Sequence, residues 1–277
     1  MSTDATPTLC FARDYELGRT AAVRDLERSV LGCDYGATSW TTRDEAHTVA
    51  GLLALQPHMR LLDVGAGAGW PGLYLSLISG CDVVLTDIPH VGVRLALERA
   101  ARDGIGERCR AVVSDGVALP FADSAFDAIS HSDVLCCMSA KLALLRECRR
   151  VARAGASMVF SVIAPAAALS DAERRFAIET GPEFVDVDGD YPMLLKRSDW
   201  HVLQRIDVTE MFAQSIRTSL HLMSARADAL VETLGAEDYR ERMKRRQATL
   251  AGLDRRVLKR EIFVATSAAI RSAQSAA

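Results

Sequence analysis

Residues 61–70 read LLDVGAGAGW, a short apolar run that ends in an acid and continues through three glycines on alternate positions. The run 60–64 predicts a buried parallel strand, because apolar residues occupy both of its faces. The glycines that follow allow a sharp turn and a close approach of ligand to backbone, which a Cβ would block. A helix is expected over 70–79. The pattern therefore predicts a ligand at the carboxyl end of this strand.

The spacing of the glycines limits which ligand this turn accepts. A dinucleotide-binding loop reads G-x-G-x-x-G, and its third glycine permits close packing of the helix. Here the pattern is G-x-G-x-G, and Trp70 stands where that third glycine is needed. The phosphate loop G-x-x-x-x-G-K-S/T is absent from the sequence. One alternative, an oxidoreductase that binds NAD(P) or FAD, stays open but is disfavoured.

The chain after the glycine turn alternates strands with helices. This alternation predicts an α/β fold with right-handed crossovers and a mostly parallel, seven-stranded sheet, covered by helices on both faces. The further predicted strands are 82–86, 109–113, 126–130, 157–163, 201–208 and 260–266. The helical patterns between them lie at 91–103 and 140–152.

Four segments are predicted along the chain. Residues 1–56 form an N-terminal helical cap, with one helix over 12–30 and another that begins at a capping box, Thr42 to Glu45. Residues 57–164 form the core. Residues 165–199 interrupt the alternation and are too long for a simple connection, which predicts a lid. Residues 200–277 complete the sheet and add a long helical region with one break at Gly235.

Two further motifs make a family resemblance specific. Residues 118–127, ALPFADSAFD, resemble a segment found in the type 11 methyltransferases, and Glu147, Arg150 and Gly155 follow it with the same order. With the acid and G-x-G-x-G of residues 63–69, the chain resembles the class I S-adenosylmethionine-dependent methyltransferases over about 60–163. The resemblance implies a Rossmann-like core, S-adenosylmethionine as cofactor and an antiparallel last strand.

The resemblance also implies roles for the acids that end the first three strands. Asp63 would take the methionine amino group, and Asp115 the adenine amino group. Asp87 ends the second strand, where a carboxylate can accept both ribose hydroxyls; helix capping is the alternative for Asp87, and a plain turn for Asp115. The predicted cofactor-binding residues are Asp63, Gly65, Ala66, Gly67, Trp70, Asp87, Ile88, Asp115, Gly116 and His131.

Candidates for catalysis and for the acceptor are fewer. His131 follows the fourth strand pattern and is a candidate general base, since its unperturbed pKa lies near neutrality; a structural or cofactor-wall histidine is the alternative. Methyl transfer depends largely on alignment and often needs no base. Cys136 and Cys137 are interpreted as small hydrophobic residues. The candidate acceptor residues are Tyr35, Trp40, Tyr191 and His221, and no metal-binding spacing is present.

Composition narrows the function classes. The 277 residues carry a formal charge of −3, which gives no basic field for a nucleic acid partner. Seven cysteines without a C-x-x-C pair predict reduced thiols and a cytoplasmic protein. No apolar run is long enough to predict a membrane span. Oligomeric state stays open, a homodimer included.

These observations predict an S-adenosylmethionine-dependent methyltransferase that acts on a small-molecule acceptor. Besides the oxidoreductase, one further alternative stands: a methyltransferase-like protein that binds S-adenosylmethionine without transferring its methyl group. The acceptor atom, whether oxygen, nitrogen, carbon or sulfur, does not follow from the sequence, because function lies in the site and not in the fold.

Overall fold

The computed structural model describes residues 5–36 and 38–267, and its centre is one seven-stranded sheet. The strands are β1 (Arg60–Val64), β2 (Asp82–Asp87), β3 (Cys109–Val113), β4 (Phe126–Ser132), β5 (Ala152–Pro165), β6 (His201–Asp207) and β7 (Leu258–Thr266). They lie in the order β3-β2-β1-β4-β5-β7-β6. The first five run parallel, and β7 enters antiparallel between β5 and β6. The predicted fold class and the antiparallel last strand are confirmed.

Helices cover both faces of this sheet. They are α1 (Ala5–Leu17), α2 (Ala21–Leu31), α3 (Arg43–Leu52), α4 (Gly72–Ser79), α5 (His90–Arg102), α6 (Lys141–Val151), α7 (Asp171–Thr180), α8 (Tyr191–Arg197), α9 (Thr209–Ala225), α10 (Ala227–Leu234) and α11 (Ala236–Asp254). The capping box at the start of α3 is present, with Thr42 and Glu45 bonded reciprocally. None of the helices in 5–36 and 38–267 is long and apolar enough to cross a membrane.

Three helical predictions differ from the structure. The single helix expected over 12–30 is two helices, because Gly18 breaks the pattern where its backbone packs against the backbone of Gly36. The insert 165–199, predicted only as a lid, contains the helices α7 and α8. Ser170 and Asp190 cap the N-termini of these helices, and such capping residues are visible in the sequence. The late helical region breaks at Arg226 as well as at Gly235.

The two faces of the sheet form separate cores. Successive residues of a strand point to opposite faces, so Leu61 packs in one core and Leu62 in the other. Both side chains are fully buried. The first core is completed by α3, α4 and α5, and the second by α6, α8 and α9. Packing on both faces fixes the carboxyl ends of β1 to β4 along one edge of the molecule.

Candidate functional site

The carboxyl ends of β1, β2 and β3 open into one cavity of about 370 Å³. The glycine turn after β1, the acid that ends β2 and the turn after β3 all line it. Of the predicted residues, the cavity is lined by Trp40, Gly65, Ala66, Gly67, Trp70, Asp87, Ile88, Asp115 and Gly116. The structure therefore brings together most of the residues that the sequence places at the strand ends.

Glycine is required in the turn for two reasons that the structure makes explicit. Gly65 and Gly67 have φ angles of +68° and +53°, a region that L side chains rarely adopt. A Cβ on Gly65 would lie 2.5 Å from a methyl group of Val134, and one on Gly67 would lie 3.0 Å from the ring of Tyr15. Because these two residues lack a Cβ, the backbone of the turn fits between Val134 and Tyr15 of α1.

Asp87 lines the cavity and accepts three hydrogen bonds. Its Oδ2 accepts hydrogen bonds from the Gly67 amide at 2.5 Å and from the Tyr15 hydroxyl at 3.1 Å, and its Oδ1 accepts one from the Ile88 amide at 2.7 Å. Burial raises the pKa of Asp87, and these hydrogen bonds oppose that rise. A carboxylate has about four acceptor positions, so about one is left for a ligand while Tyr15 is in place.

Tyr15 is a cavity residue that sequence reasoning missed. It lies on α1, is 5% exposed, and its ring packs against the two glycines Gly67 and Gly92. Burial raises the pKa of its hydroxyl well above the usual value, and Asp87 adds to that rise. The hydroxyl is therefore a neutral hydrogen-bond donor. The sequence shows only an ordinary helix here, so no local signal marks this contact across 72 residues.

Asp63 lies beneath the glycine turn and does not line the cavity. It is 1% exposed; its Oδ1 accepts a hydrogen bond from the Ser130 hydroxyl at 2.6 Å, and its Oδ2 accepts one from the Gly72 amide at 3.0 Å. Gly72 is the first residue of α4, so the carboxylate caps this helix N-terminus. Burial raises the pKa of Asp63 to about 7. In this structure both oxygens support the turn, and neither faces a ligand.

We expect the variant Asp63→Asn to change the pH dependence of stability. The folded pKa of about 7 exceeds the unfolded value of about 3.9, so the folded state holds this proton more tightly. The stabilisation of the folded state by this proton is fully present below pH ~4 and is lost as the pH rises through 7. Between these limits the wild type should lose up to about 4 kcal/mol relative to Asp63→Asn in urea unfolding. Parallel pH profiles of the two proteins would contradict this.

The turn after β3 carries the second cavity acid. Asp115 Oδ1 accepts a hydrogen bond from the Val117 amide at 3.1 Å, so the residue also makes the plain turn that was its alternative reading. Its carboxylate is exposed at the cavity wall beside Gly116. A Cβ on Gly116 would lie 2.8 Å from a methyl group of Leu144, which leaves the backbone close to α6.

His131 is not placed as a general base. It lies on β4 with 1% exposure, opposite Phe160 in the register, and its ring stacks on that phenyl ring at 4.5 Å between centroids. Neither ring nitrogen has a hydrogen-bond partner among the described residues. Burial lowers the pKa of His131 to about 3. The side chain is thus neutral, lies outside the large cavity and packs in the core, which corrects the proposed roles as base and as cofactor wall.

The candidate acceptor residues divide into one that lines the cavity and three that do not. Trp40 lines it and packs edge-on against Phe212. Tyr35 packs against Trp70 at 5.0 Å between ring centroids, behind the cavity wall. Tyr191 is 3% exposed and lies in the core, and His221 is exposed on α9. Tyr35, Tyr191 and His221 therefore do not meet at the site.

The rest of the wall comes from the N-terminal cap, from the insert predicted as a lid, and from the loop after β4. The loop after β4 and the insert meet there: the Phe184 amide donates to the Cys136 carbonyl at 3.2 Å. Lys141 Nζ donates to the Phe184 carbonyl at 2.6 Å and to the Met138 carbonyl at 2.7 Å. The additional lining residues include Phe11, Tyr15, Thr38, Ser39, Val134, Cys136, Cys137, Met138, Pro182 and Phe184. Within 5–36 and 38–267, no cluster of His, Cys, Asp and Glu has the geometry of a metal site.

Comparison with known proteins agrees with this geometry. Residues 62–160 match a family described as a methyltransferase domain. Methyltransferase GfsG of Streptomyces halstedii is 27% identical over 190 residues, which cover 67% of this chain and 66% of that protein. The 27-O-demethylrifamycin SV methyltransferase of Amycolatopsis mediterranei is 30% identical over 142 residues, 48% of this chain and 52% of that protein.

A solved structure extends the agreement to the whole fold. The cyclase SpnF superposes with a TM-score of 0.71 at 21% identity, over 93% of this chain and 94% of that chain. Its match includes the cap and the insert as well as the sheet. By the family match, the motifs at the strand ends and the sheet order, residues 62–160 form a methyltransferase domain of the class I, type 11 group, and the chain spans less than two thirds of the length of the curated relatives it matches.

Proposed function

We propose that this protein is an enzyme that transfers the methyl group of S-adenosylmethionine to a small-molecule acceptor. The observation that carries the proposal is Asp87, whose half-buried carboxylate lines the first cavity at 2.5 Å from the Gly67 amide. Asp115 lines the same cavity one strand further along the sheet. Two carboxylates in this order suit the ribose hydroxyls and the adenine amino group of a bound adenosine.

The charge of the site argues against a dinucleotide. A pyrophosphate binds at a helix N-terminus, where backbone amides and the helix dipole attract its negative charge. At the start of α4 the carboxylate of Asp63 already accepts the Gly72 amide hydrogen bond. Trp70, 2% exposed, occupies the position of the third glycine. Asp87 and Asp115 add two acids at the cavity wall, which disfavour a pyrophosphate and suit a sulfonium cofactor.

The roles of the residues follow from their positions. Asp87 and Asp115 hold the adenosine, and the turn at Gly65 and Gly67 leaves room for the methionyl chain. S-adenosylmethionine supplies an electrophilic methyl group. Trp40, which lines the cavity and packs against Phe212, orients the acceptor. The cap (1–56), through Tyr15, and the insert (165–199), through Phe184, exclude water from the reacting atoms.

Among the residues that the structure describes, neither His131 nor Asp133 is free to act as a base. His131 is neutral in the core, and Asp133 is held by Arg260 through hydrogen bonds of 3.0 and 3.1 Å. The rate enhancement therefore comes from alignment of the acceptor with the methyl group and from removal of water. An acceptor that is acidic enough, or already nucleophilic, suits such a site best.

Three observations support a small-molecule acceptor and a cytoplasmic protein. The formal charge of −3 offers no field for nucleic acid, and the relatives named above include an enzyme that acts on a demethylrifamycin. The six cysteines whose side chains the structure describes are free thiols, which suits a reducing compartment.

Calorimetric titration tests the cofactor assignment. We expect S-adenosylmethionine and S-adenosylhomocysteine to bind with micromolar or tighter affinity, and NAD⁺ to show no heat of binding. Binding of NAD⁺ alone would contradict the proposal and favour hydride chemistry. Because the fold is shared with a cyclase, S-adenosylhomocysteine formation with an acceptor is the readout that separates transfer from binding alone.

We expect the variant Tyr15→Phe to bind S-adenosylmethionine about two- to tenfold more tightly. Its hydroxyl occupies an acceptor position on Asp87 that a ribose hydroxyl would use, and one hydrogen bond is worth roughly 0.5–1.5 kcal/mol. The ring and its packing on Gly67 are kept. Tyr35→Phe is the matched control, since the Tyr35 hydroxyl lies 3.5 Å from Asp103, outside the cavity. Weaker binding by Tyr15→Phe in calorimetry would contradict this competition.

A further inference from the structure

A second cavity of about 320 Å³ adjoins the first. It lies between the N-terminal helices α1 and α2 and the late helices α9, α10 and α11. Thr38, Ser39 and Trp40 line both cavities. The two cavities therefore meet along the segment 38–40.

One side of the second cavity is apolar. Seven hydrophobic side chains from α2, α9 and α10 form this wall: Val23, Leu26, Val30, Leu31, Met223, Leu230 and Leu234. Most of them are buried in the cluster that joins these helices. Such a wall contributes about 25 cal/mol for each Å² of apolar ligand surface removed from water. It predicts a ligand with an apolar body.

The other side is charged and internally paired. Four arginines and four carboxylates line the cavity, so net charge alone selects no ligand. Arg13 lies 2.7 Å from Asp238, Arg242 pairs with Asp14, Arg245 lies 2.9 Å from Glu241, and Glu27 accepts a hydrogen bond from the Gly36 amide at 2.6 Å. Among the four lining arginines, Arg246 is the one for which the described residues provide no ion pair with a carboxylate.

Arg246 is a cation whose described hydrogen-bond and ring partners are all neutral. Its Nε donates to the Ser219 hydroxyl at 3.0 Å, its Nη1 donates to the Arg242 carbonyl at 3.2 Å, and its guanidinium lies 5.4 Å from the centre of the Trp40 ring. Among the residues that the structure describes, no carboxylate forms an ion pair with it, and its Nη2 has no acceptor. Burial lowers the pKa of Arg246 to about 10, repulsion from Arg242 adds to this, and the nearby charge of Asp14 opposes it. The side chain is still charged at neutral pH.

We propose that the second cavity binds the methyl acceptor, and that the acceptor is an amphipathic molecule whose oxyanion, a carboxylate or a phosphate, pairs with Arg246. This inference rests on the proposed methyltransferase function. A guanidinium presents a planar fork of donors that matches such oxyanions. The Arg246 guanidinium lies 5.4 Å from the centre of the Trp40 ring, so the anionic end of the acceptor lies at the entrance to the cofactor cavity and the apolar body rests against α2 and α10. The nucleophilic atom then belongs to this same end of the molecule, close to the anion.

Binding of three eight-carbon probes tests this inference on the full chain saturated with S-adenosylhomocysteine. The probes are octanoate, octyl phosphate and octanol, titrated calorimetrically. We expect at least one anionic probe to bind about tenfold or more tightly than octanol, since a charged hydrogen bond adds roughly 1.5–3 kcal/mol. The tighter of the two anions assigns carboxylate or phosphate.

Variants locate the effect. Arg246→Gln should bring the affinity for the anions down to that for octanol, and Arg246→Lys should recover part of it. Lys244→Gln, which removes the same charge from an exposed position two residues away, should change nothing. Retention of the anion preference by Arg246→Gln would overturn the proposal.

The wild type alone also decides the question, whatever the stability of the variants. Equal binding of octanol and both anions, or no binding of either anion, would overturn this inference. Binding of S-adenosylhomocysteine is measured first. If it fails, the proposed function itself fails; if it succeeds without an anion preference, only the inference about the acceptor is lost.

Discussion

Replacement of Arg260 by methionine is expected to lower the free energy of unfolding by about 3–5 kcal/mol, because it leaves two buried carboxylates without their cation. Arg260 is 1% exposed on β7. Its Nε donates to Asp133 Oδ1 at 3.0 Å, and its Nη1 donates to Glu45 Oε1 at 2.6 Å. Further hydrogen bonds of 3.1 and 3.2 Å go to the hydroxyls of Ser161 and Thr41. One side chain thus ties the cap to the ends of β4 and β5.

Two companion variants separate this network from ordinary loss of charge. Arg205→Met removes an arginine that is 41% exposed and pairs with Glu261, which keeps Lys259 at 2.8 Å; it should cost about 1 kcal/mol or less. Adding Asp133→Asn and Glu45→Gln to Arg260→Met should recover most of the lost stability, since no charge is then buried unpaired. Urea unfolding followed by circular dichroism measures all three. A loss below 1 kcal/mol for Arg260→Met would contradict the account.

The variant Asp87→Ala is expected to lower the affinity for S-adenosylmethionine about 100-fold or more. Hydrogen bonds to a charged group contribute roughly 1.5–3 kcal/mol each, and the carboxylate would serve the ribose. It also holds the Gly67 amide at 2.5 Å and the Ile88 amide at 2.7 Å, so its loss loosens the turn as well. Asp87→Asn, which keeps one acceptor oxygen, should fall between the wild type and Asp87→Ala.

Asp82→Ala provides the matched control for Asp87→Ala. Asp82 begins the same strand, β2, at its opposite end and is exposed to solvent. Its affinity for the cofactor in calorimetry should equal that of the wild type. A change of less than threefold for Asp87→Ala would remove Asp87 from the cofactor site.

The sheet and the glycine turn could be predicted because their signals are local. The apolar run 60–64 and the glycines after it act on neighbouring residues, through burial of both strand faces and through φ angles such as +68° at Gly65. Once β1, β2 and β3 are parallel, their carboxyl ends must meet, which brings Asp87 and Asp115 to one cavity. The parallel arrangement of the three strands thus brings the residues at their ends into one candidate cofactor site.

The contacts that escaped prediction join distant parts of the chain. Tyr15 bonds to Asp87 across 72 residues, and Arg260 bonds to Asp133 across 127. No periodicity marks the individual tyrosine or arginine that makes such a contact, since each depends on how complete helices and strands dock. The second cavity, with Arg246, has the same origin: helices from both ends of the chain form it.

His131 shows how a residue type can mislead. A histidine at the end of a strand, near the expected methyl group, suggested a base. The register of β4 pairs it with Phe160, and the pleat directs its ring into the core. Its neighbour Ser130 instead donates a hydrogen bond to Asp63 at 2.6 Å. The packing of complete helices and strands decides which core each strand residue faces. A shift of one residue along the strand would exchange the positions of Ser130 and His131.

The measurement that tests the central claim most directly is a crystal structure of the protein with S-adenosylhomocysteine. The account predicts the ribose hydroxyls within hydrogen-bond distance of the Asp87 carboxylate, the adenine beside Asp115 and Gly116, and the sulfur facing Trp40. It would be contradicted by a nucleoside bound away from Asp87, or by a homocysteine end that points toward β3 instead of toward the glycine turn.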